Sequence, residues 1–190
     1  MGDAQLDQLI GRVSNWGRWG DEDELGTVNL ITDERRLHAS SLVRRGAVFS
    51  LAIPFDLAGV PQLPVTRRIN PHLWMLQTGT DLRAGVQAGA VDGWGYADDV
   101  FAMATHAATH WDGLAHIFYD FKMYNNRDCT LVSTAGAARN GIANAADRLV
   151  ARGVLLDFPR VLGVQWLKLD HRISVSELER AFEHAHTEPL

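Results

Sequence analysis

Apolar residues Leu6, Leu9, Ile10 and Val13 recur at helical spacing, so the pattern predicts a helix over residues 3–13. A second helix is predicted from Thr32 as N-cap to about Val43. Asp33 and Glu34 lie in its first turn, Arg44 and Arg45 follow its end, and Gly46 stops it. That order of charges suits the helix dipole. The apolar run Ala47–Ile53, closed by Pro54, reads as a mostly buried strand. Residues 54–72 carry Pro54, Pro61, Pro64 and Pro71 and read as a long loop. Leu73–Thr78 and Val100–Thr105 read as two further strands, joined by a Gly-rich connection from Gly79 to Gly95. Ser133–Gly141 is loop-like, residues 142–152 are moderately helical, and Gly153–Asp157 reads as a strand with an acid at its end. Ser174 and Glu177 form a capping-box pattern, and Leu178, Ala181, Phe182 and Ala185 continue the helix behind it. No internal repeat or low-complexity segment interrupts this, so the fold class is mixed α/β with long loops.

Between the first two helices stands Asn15-Trp16-Gly17-Arg18-Trp19-Gly20, followed by the acidic run Asp21–Glu24. Two Trp between glycines make a loop. Such a loop either packs its aromatic area on the body of the protein or walls a pocket, and the pattern leaves both open.

Composition narrows the setting. The chain has 190 residues, enough for one domain with a real core. The net charge of −5 and the scattered basic residues exclude a nucleic-acid surface. One cysteine, Cys129, excludes an intramolecular disulfide framework and a Cys-rich zinc site. The start of the chain lacks a secretory pattern, and no apolar stretch is long enough to span a membrane. A cytoplasmic enzyme acting on a small molecule is the default expectation.

Three of the eight histidines fall in one short stretch, as His106-x-x-x-His110-x-Asp112-x-x-x-His116. Neutral imidazole and carboxylate are ligands that Zn²⁺, Mn²⁺ or Fe²⁺ accept. At about 3.6 residues per turn, one helix would align His106 with His110 but turn Asp112 and His116 elsewhere. An extended backbone at residues 110–112 would let His110 and Asp112 share a face. We therefore expect a turn or irregular segment at a strand end, with a change of direction at Gly113. His106, His110 and Asp112 would be ligands, and His116 would lie nearby without needing to be one. Three ligands leave a metal position open, as catalytic sites do. Thr105 and Thr109 are candidates to hydrogen-bond the ligating groups. The alternative is a set of unrelated histidines beside an N-capping aspartate.

At these residues the sequence resembles the cyclase-like metal-dependent hydrolases, which include bacterial kynurenine formamidase and isatin hydrolase. Their signature is His-x-Gly-Thr-His-x-Asp-x-Pro-x-His. Ala108 stands here for its Gly and Leu114 for its Pro. Further shared blocks are Trp16–Gly20, Glu24–Thr32, Gly95–Asp99, Phe118–Asn125 and Arg152–Asp157. The resemblance implies a swivelling β/β/α domain spanning residues 1–190, and a homodimer. It implies His106, His110 and Asp112 as metal ligands, with Zn²⁺ or Mn²⁺ bound, and His116 as proton donor and acceptor. The implied reaction is hydrolysis of a C–N bond in a small amide such as an arylformamide or cyclic amide. Trp16, Trp19 and Trp111 are candidates for the substrate pocket.

The resemblance also implies a C-terminal part beyond Leu190, with additional strands and a His and a Glu for a second metal. The chain is thus expected to be a truncated member, with the C-terminal side of the fold incomplete. His184 and His186 have weak ligand spacing, but on a helix they diverge by about 200°. Two other readings accompany the amidohydrolase: a non-catalytic metal-binding member, and a cyclase of secondary metabolism.

Overall fold

The computed structural model describes residues 3–56 and 68–187. Pro61 and Pro64 of the expected long loop, and the Met1-Gly2 start, lie outside the described residues. The chain forms two compact units. One comprises the described parts of Met1–Gly26 and Gly46–Ala146, and the other Thr27–Arg45 with Asp147–Leu190.

The first unit opens with α1 (Asp3–Val13), as the spacing predicts. Strands β1 (His72–Gln77) and β2 (Asp98–Ala102) pair antiparallel, with His72 opposite Ala102 and Trp74 opposite Val100. The Gly-rich connection between them holds a short helix that its glycines concealed, α3 (Gly79–Ala84). Its signal is a capping box: Thr78 Oγ1 accepts from Asp81 N, and the Asp81 carboxylate accepts from Thr78 N. Gly85 at φ 73° ends the helix in the left-handed conformation a C-cap glycine provides. Gln87, buried, then clamps the connection by accepting from Tyr96 N (3.0 Å) and donating to Thr78 O (3.3 Å). Two more antiparallel pairs are minimal: β3 (Lys122–Met123) with β4 (Arg127–Asp128), and β5 (Val132–Ser133) with β6 (Gly136–Ala137).

The expected strand over residues 47–53 is not formed. Val48, Phe49 and Leu51 are 92%, 83% and 75% exposed, and no ladder partner stands beside them among the described residues. An apolar run becomes a strand only when another backbone satisfies its amides. Among the described residues, the segment is tied to distant chain by a hydrogen bond from Thr109 Oγ1 to Leu51 O at 2.7 Å. The hydroxyl of Thr109 therefore serves the backbone of the apolar run.

Most of the buried residues of the first unit follow β2. Ala107, Ala115, Met123, Tyr124 and Ala145 are apolar members of this group and Asn140 its fully buried polar one. The acidic run Asp21–Glu24 reaches into it. The Glu24 carboxylate accepts from Asn140 N (2.6 Å), Asn144 Nδ2 (2.7 Å) and Arg139 (2.7 Å). Asp23 Oδ2 accepts from Gly26 N (2.8 Å) and Tyr124 Oη (2.7 Å). Arg127 donates to Asp21 O (3.0 Å), Asp23 O (2.7 Å) and Asn140 Oδ1 (2.8 Å). Burial first, and then the bond to Asp23, push the Tyr124 phenol up to about 12.

In the second unit, α2 (Asp33–Ser41) starts where predicted, with Thr32 Oγ1 accepting from Arg35 N. It ends at Ser41, ahead of the Arg pair and Gly46. Residues 142–152, in part on the first unit, hold only a 3-10 turn at Ile142–Ala145, against the expected helix. The expected strand Gly153–Asp157 is absent as well. Asp157 instead caps α4 (Phe158–Leu162), accepting from Arg160 N at 3.1 Å, and Pro159 sits in the first turn where its missing N–H costs nothing. Leu155, 81% exposed, has no sheet to enter. The capping box of Ser174 and Glu177 forms as read and starts α5 (Val175–His184), whose Arg180 donates to Val161 O of α4 at 2.9 Å. Ser174's hydrogen bonds, followed by the neighbouring His171, hold the Glu177 carboxyl below the usual carboxylate range. His184 ends α5, and His186 lies past it at φ 49°, both exposed. No helix among the described residues is long and apolar enough to cross a membrane.

Candidate metal centre

Strand β2 delivers the chain to a run of bends over residues 105–109, then to irregular chain, extended at Gly113, and a 3-10 turn at Leu114–His116. This is the irregular segment at a strand end that the ligand spacing requires. It is pinned at two buried alanines, Ala107 (2% exposed) and Ala115 (1%). Ala115 N donates to Asn140 O at 3.0 Å, which ties the segment to the buried polar network.

Gly113 serves this segment by its size. Its φ of −74° is open to any residue. A Cβ there would lie 2.9 Å from Ile142 N and 3.2 Å from Asn140 O, both backbone atoms. The expected change of direction is thus a close approach of two chain segments, which only the missing side chain permits.

His106, His110 and Asp112 come together, each offering a ligand atom within 4.8 Å of the others. Asp112 Oδ1 is the centre: it lies 3.1 Å from His106 Nδ1, 3.5 Å from His110 Nε2 and 3.2 Å from His116 Nδ1. The His106 ring stands edge-on to His110 (centroids 5.2 Å apart, 90°) and tilted to His116 (4.9 Å, 46°). All four side chains are partly exposed, from 28% at His106 to 42% at Asp112, so small molecules have access.

The donor set fits a divalent cation. Two ligands about 2.0–2.1 Å from one tetrahedral zinc lie roughly 3.3 Å apart. The separations of His106 Nδ1 and His110 Nε2 from Asp112 Oδ1 bracket that value. His110 is also oriented for it: Nδ1 sits 2.9 Å from Ala108 O, so a proton there leaves Nε2 bare toward Asp112.

That carbonyl is supplied by a strained residue. Ala108 has φ 53°, in the region where a Cβ costs roughly 1–2 kcal/mol. It occupies the position of the signature's Gly. Ala108→Gly is expected to raise stability by roughly 0.5 kcal/mol, strain relief outweighing the greater freedom of glycine in the unfolded chain. Denaturant unfolding checks this, with metal uptake expected to stay the same because the carbonyl remains.

A cleft of about 390 Å³ adjoins Asp112, lined also by Trp16, Ile117, Tyr119, Lys122 and Tyr124. Of the three Trp residues singled out by sequence, Trp16 is on its wall. Trp19 and Trp111 are not; Trp19 carries the Arg18 guanidinium 4.9 Å from its ring centre, and Trp111 is 61% exposed. Asn125 holds the Trp16 loop by accepting from Gly17 N (2.8 Å) and donating to Gly20 O (2.9 Å). Sequence reasoning missed Ile117, Tyr119 and Lys122. Their only signal is position, just past His116 on a chain that doubles back through the Tyr119–Lys122 bridge.

Fold and site together define a mixed α/β protein with a candidate divalent-metal group beside a cleft. The profile of the family described as "Putative cyclase" matches residues 39–189, and the chain belongs to that family. A solved structure described as a novel cyclase is 35% identical, with a TM-score of 0.87. The match covers 95% of this chain and 59% of that one, so the chain spans less than two thirds of that relative's length. No match is found among the curated proteins.

Proposed function

We propose that this chain is a metal-dependent hydrolase acting on the C–N bond of a small amide, an arylformamide or a cyclic amide. The observation that carries the reading is the convergence of His106, His110 and His116 on one oxygen of Asp112. In it, His106, His110 and Asp112 hold the cation, zinc or manganese. Such a cation polarises a carbonyl and makes water a usable nucleophile near neutral pH.

The chain's own residues supply the rest. Asp112 faces His116 Nδ1 and orients its ring, which leaves Nε2 as the nitrogen that exchanges a proton. His116 accepts the proton of the attacking water and passes it to the leaving nitrogen, so that the amine departs neutral. Ala108 O fixes the tautomer of His110. Trp16 offers an apolar wall for the body of the substrate, held in place by Asn125. The reading extends to a homodimer, as the resemblance implies.

The test is a panel of aryl formamides and cyclic amides, assayed with the purified chain and added Zn²⁺ or Mn²⁺. Metal-dependent turnover that disappears with chelator is expected. A well-folded, metal-loaded chain that turns over none of them would instead favour the non-catalytic reading.

A further inference from the structure

The lining of the cleft beside Asp112 is chemically mixed. Asp112 joins it to the metal-ligand group. The walls are apolar or aromatic, from Trp16, Ile117 and Met123. Tyr119 and Tyr124 also face it, but their hydroxyls are already turned to acids, Tyr119 to Asp7 (2.9 Å) and Tyr124 to Asp23 (2.7 Å). Neither phenol proton is therefore directed at a ligand. Among the described residues, Lys122 is the cationic one that lines the cleft. Its ammonium forms a loose ion pair with Asp128 Oδ2, at 3.8 Å. Asp128 Oδ1 in turn accepts from Thr130 N (2.9 Å) and Thr130 Oγ1 (2.6 Å), while its Oδ2 faces the ammonium. An ammonium has three N–H donors, so Lys122, with a side chain 39% exposed, can meet a ligand's anionic group without giving up Asp128.

We propose that this cleft binds a flat, apolar substrate carrying an anionic group, and that Lys122 selects for that charge. The body of the substrate lies against Trp16 and Ile117, its anionic substituent meets Lys122, and its scissile amide is directed toward Asp112. The proposal rests on the hydrolase reading only in taking this cleft as the place where substrate lies. It adds a specificity residue outside the His/Asp group.

The experiment compares binding of 2-naphthoate and its neutral counterpart 2-naphthamide by calorimetry. Metal-stripped protein is used, so that no carboxylate can be held by a cation. Asp112 is present in every variant, so its repulsion of the anion cancels between them. The naphthoate-to-naphthamide affinity ratio is expected to fall about tenfold in Lys122→Gln, with naphthamide affinity unchanged, and to be retained in Lys122→Arg. Equal ratios in wild type and Lys122→Gln would overturn the assignment, as would failure of either probe to bind the wild type. Because binding is read without metal or turnover, the two readings separate. A charge preference without hydrolysis sinks the hydrolase alone, and hydrolysis without a charge preference sinks the role of Lys122 alone.

Discussion

Asp112→Asn is expected to abolish stoichiometric metal binding and turnover together, whereas His116→Ala keeps the metal and loses turnover. One oxygen of Asp112 lies within 3.5 Å of three imidazoles, so it is the group through which the cluster is organised. Asn preserves volume and removes the charge. Changes to residues that merely support a metal ligand cost about 10–100-fold in affinity. Loss of a direct anionic ligand from a set of three should cost on the order of 100-fold or more. His116 stands outside the group of three whose donor atoms converge. Its removal should leave elemental metal content near wild type while lowering turnover by about 10²–10⁴-fold, the usual worth of a positioned acid/base. Equal metal in wild type and Asp112→Asn would refute the ligand set. Loss of metal in His116→Ala would make His116 a ligand and remove the basis for separating the two roles.

Asn140→Ala should be among the most destabilising single changes in the chain. Asn140 is fully buried, donates from Nδ2 to Tyr124 O (3.0 Å) and accepts at Oδ1 from Arg127 (2.8 Å). Alanine would leave a buried carbonyl without its donor and part of a buried guanidinium without its acceptor. It would also have to adopt φ 61°, which Asn tolerates better than alanine. Together these cost about 3 kcal/mol. For a chain of this size that corresponds to a fall of roughly 6–12 °C in Tm, read from a circular-dichroism melt. Asn140→Asp keeps the acceptor for Arg127 but loses the donor to Tyr124, and should fall between. A Tm within about 2 °C of wild type for Asn140→Ala would show that the network is not what holds this region together. The backbone of Asn140 accepts from Ala115 N beside His116, so weaker metal binding should accompany the loss of stability.

Much of what the sequence conveys here is local. The caps at Thr32 and Ser174 formed as read, because a hydroxyl and the amides three residues on meet through the backbone alone. The same logic would have found α3 from Thr78 and Asp81, had the surrounding glycines not dominated the reading. The runs at residues 47–53 and 153–157 were misread for the opposite reason. Apolar composition states a preference for burial, and only a neighbouring backbone can turn it into a strand. Where no such neighbour stands, Val48 and Leu155 remain exposed and Asp157 becomes a helix cap.

The ligand cluster was legible because its members are close in sequence and the spacing of His106, His110 and Asp112 rules out a single helix. Local geometry then demanded an irregular segment at a strand end, and one is present. What the sequence by itself determined is thus the candidate metal-ligand group and the helices that carry their own caps. Tertiary structure alone decided the rest. Asp23 and Glu24 meet Arg127, Arg139 and Asn140 across more than a hundred residues. Gly113 is required by the approach of Ile142, and Trp16 rather than Trp19 or Trp111 reaches the cleft. Such contacts depend on where distant segments come to rest, which no spacing along the chain encodes.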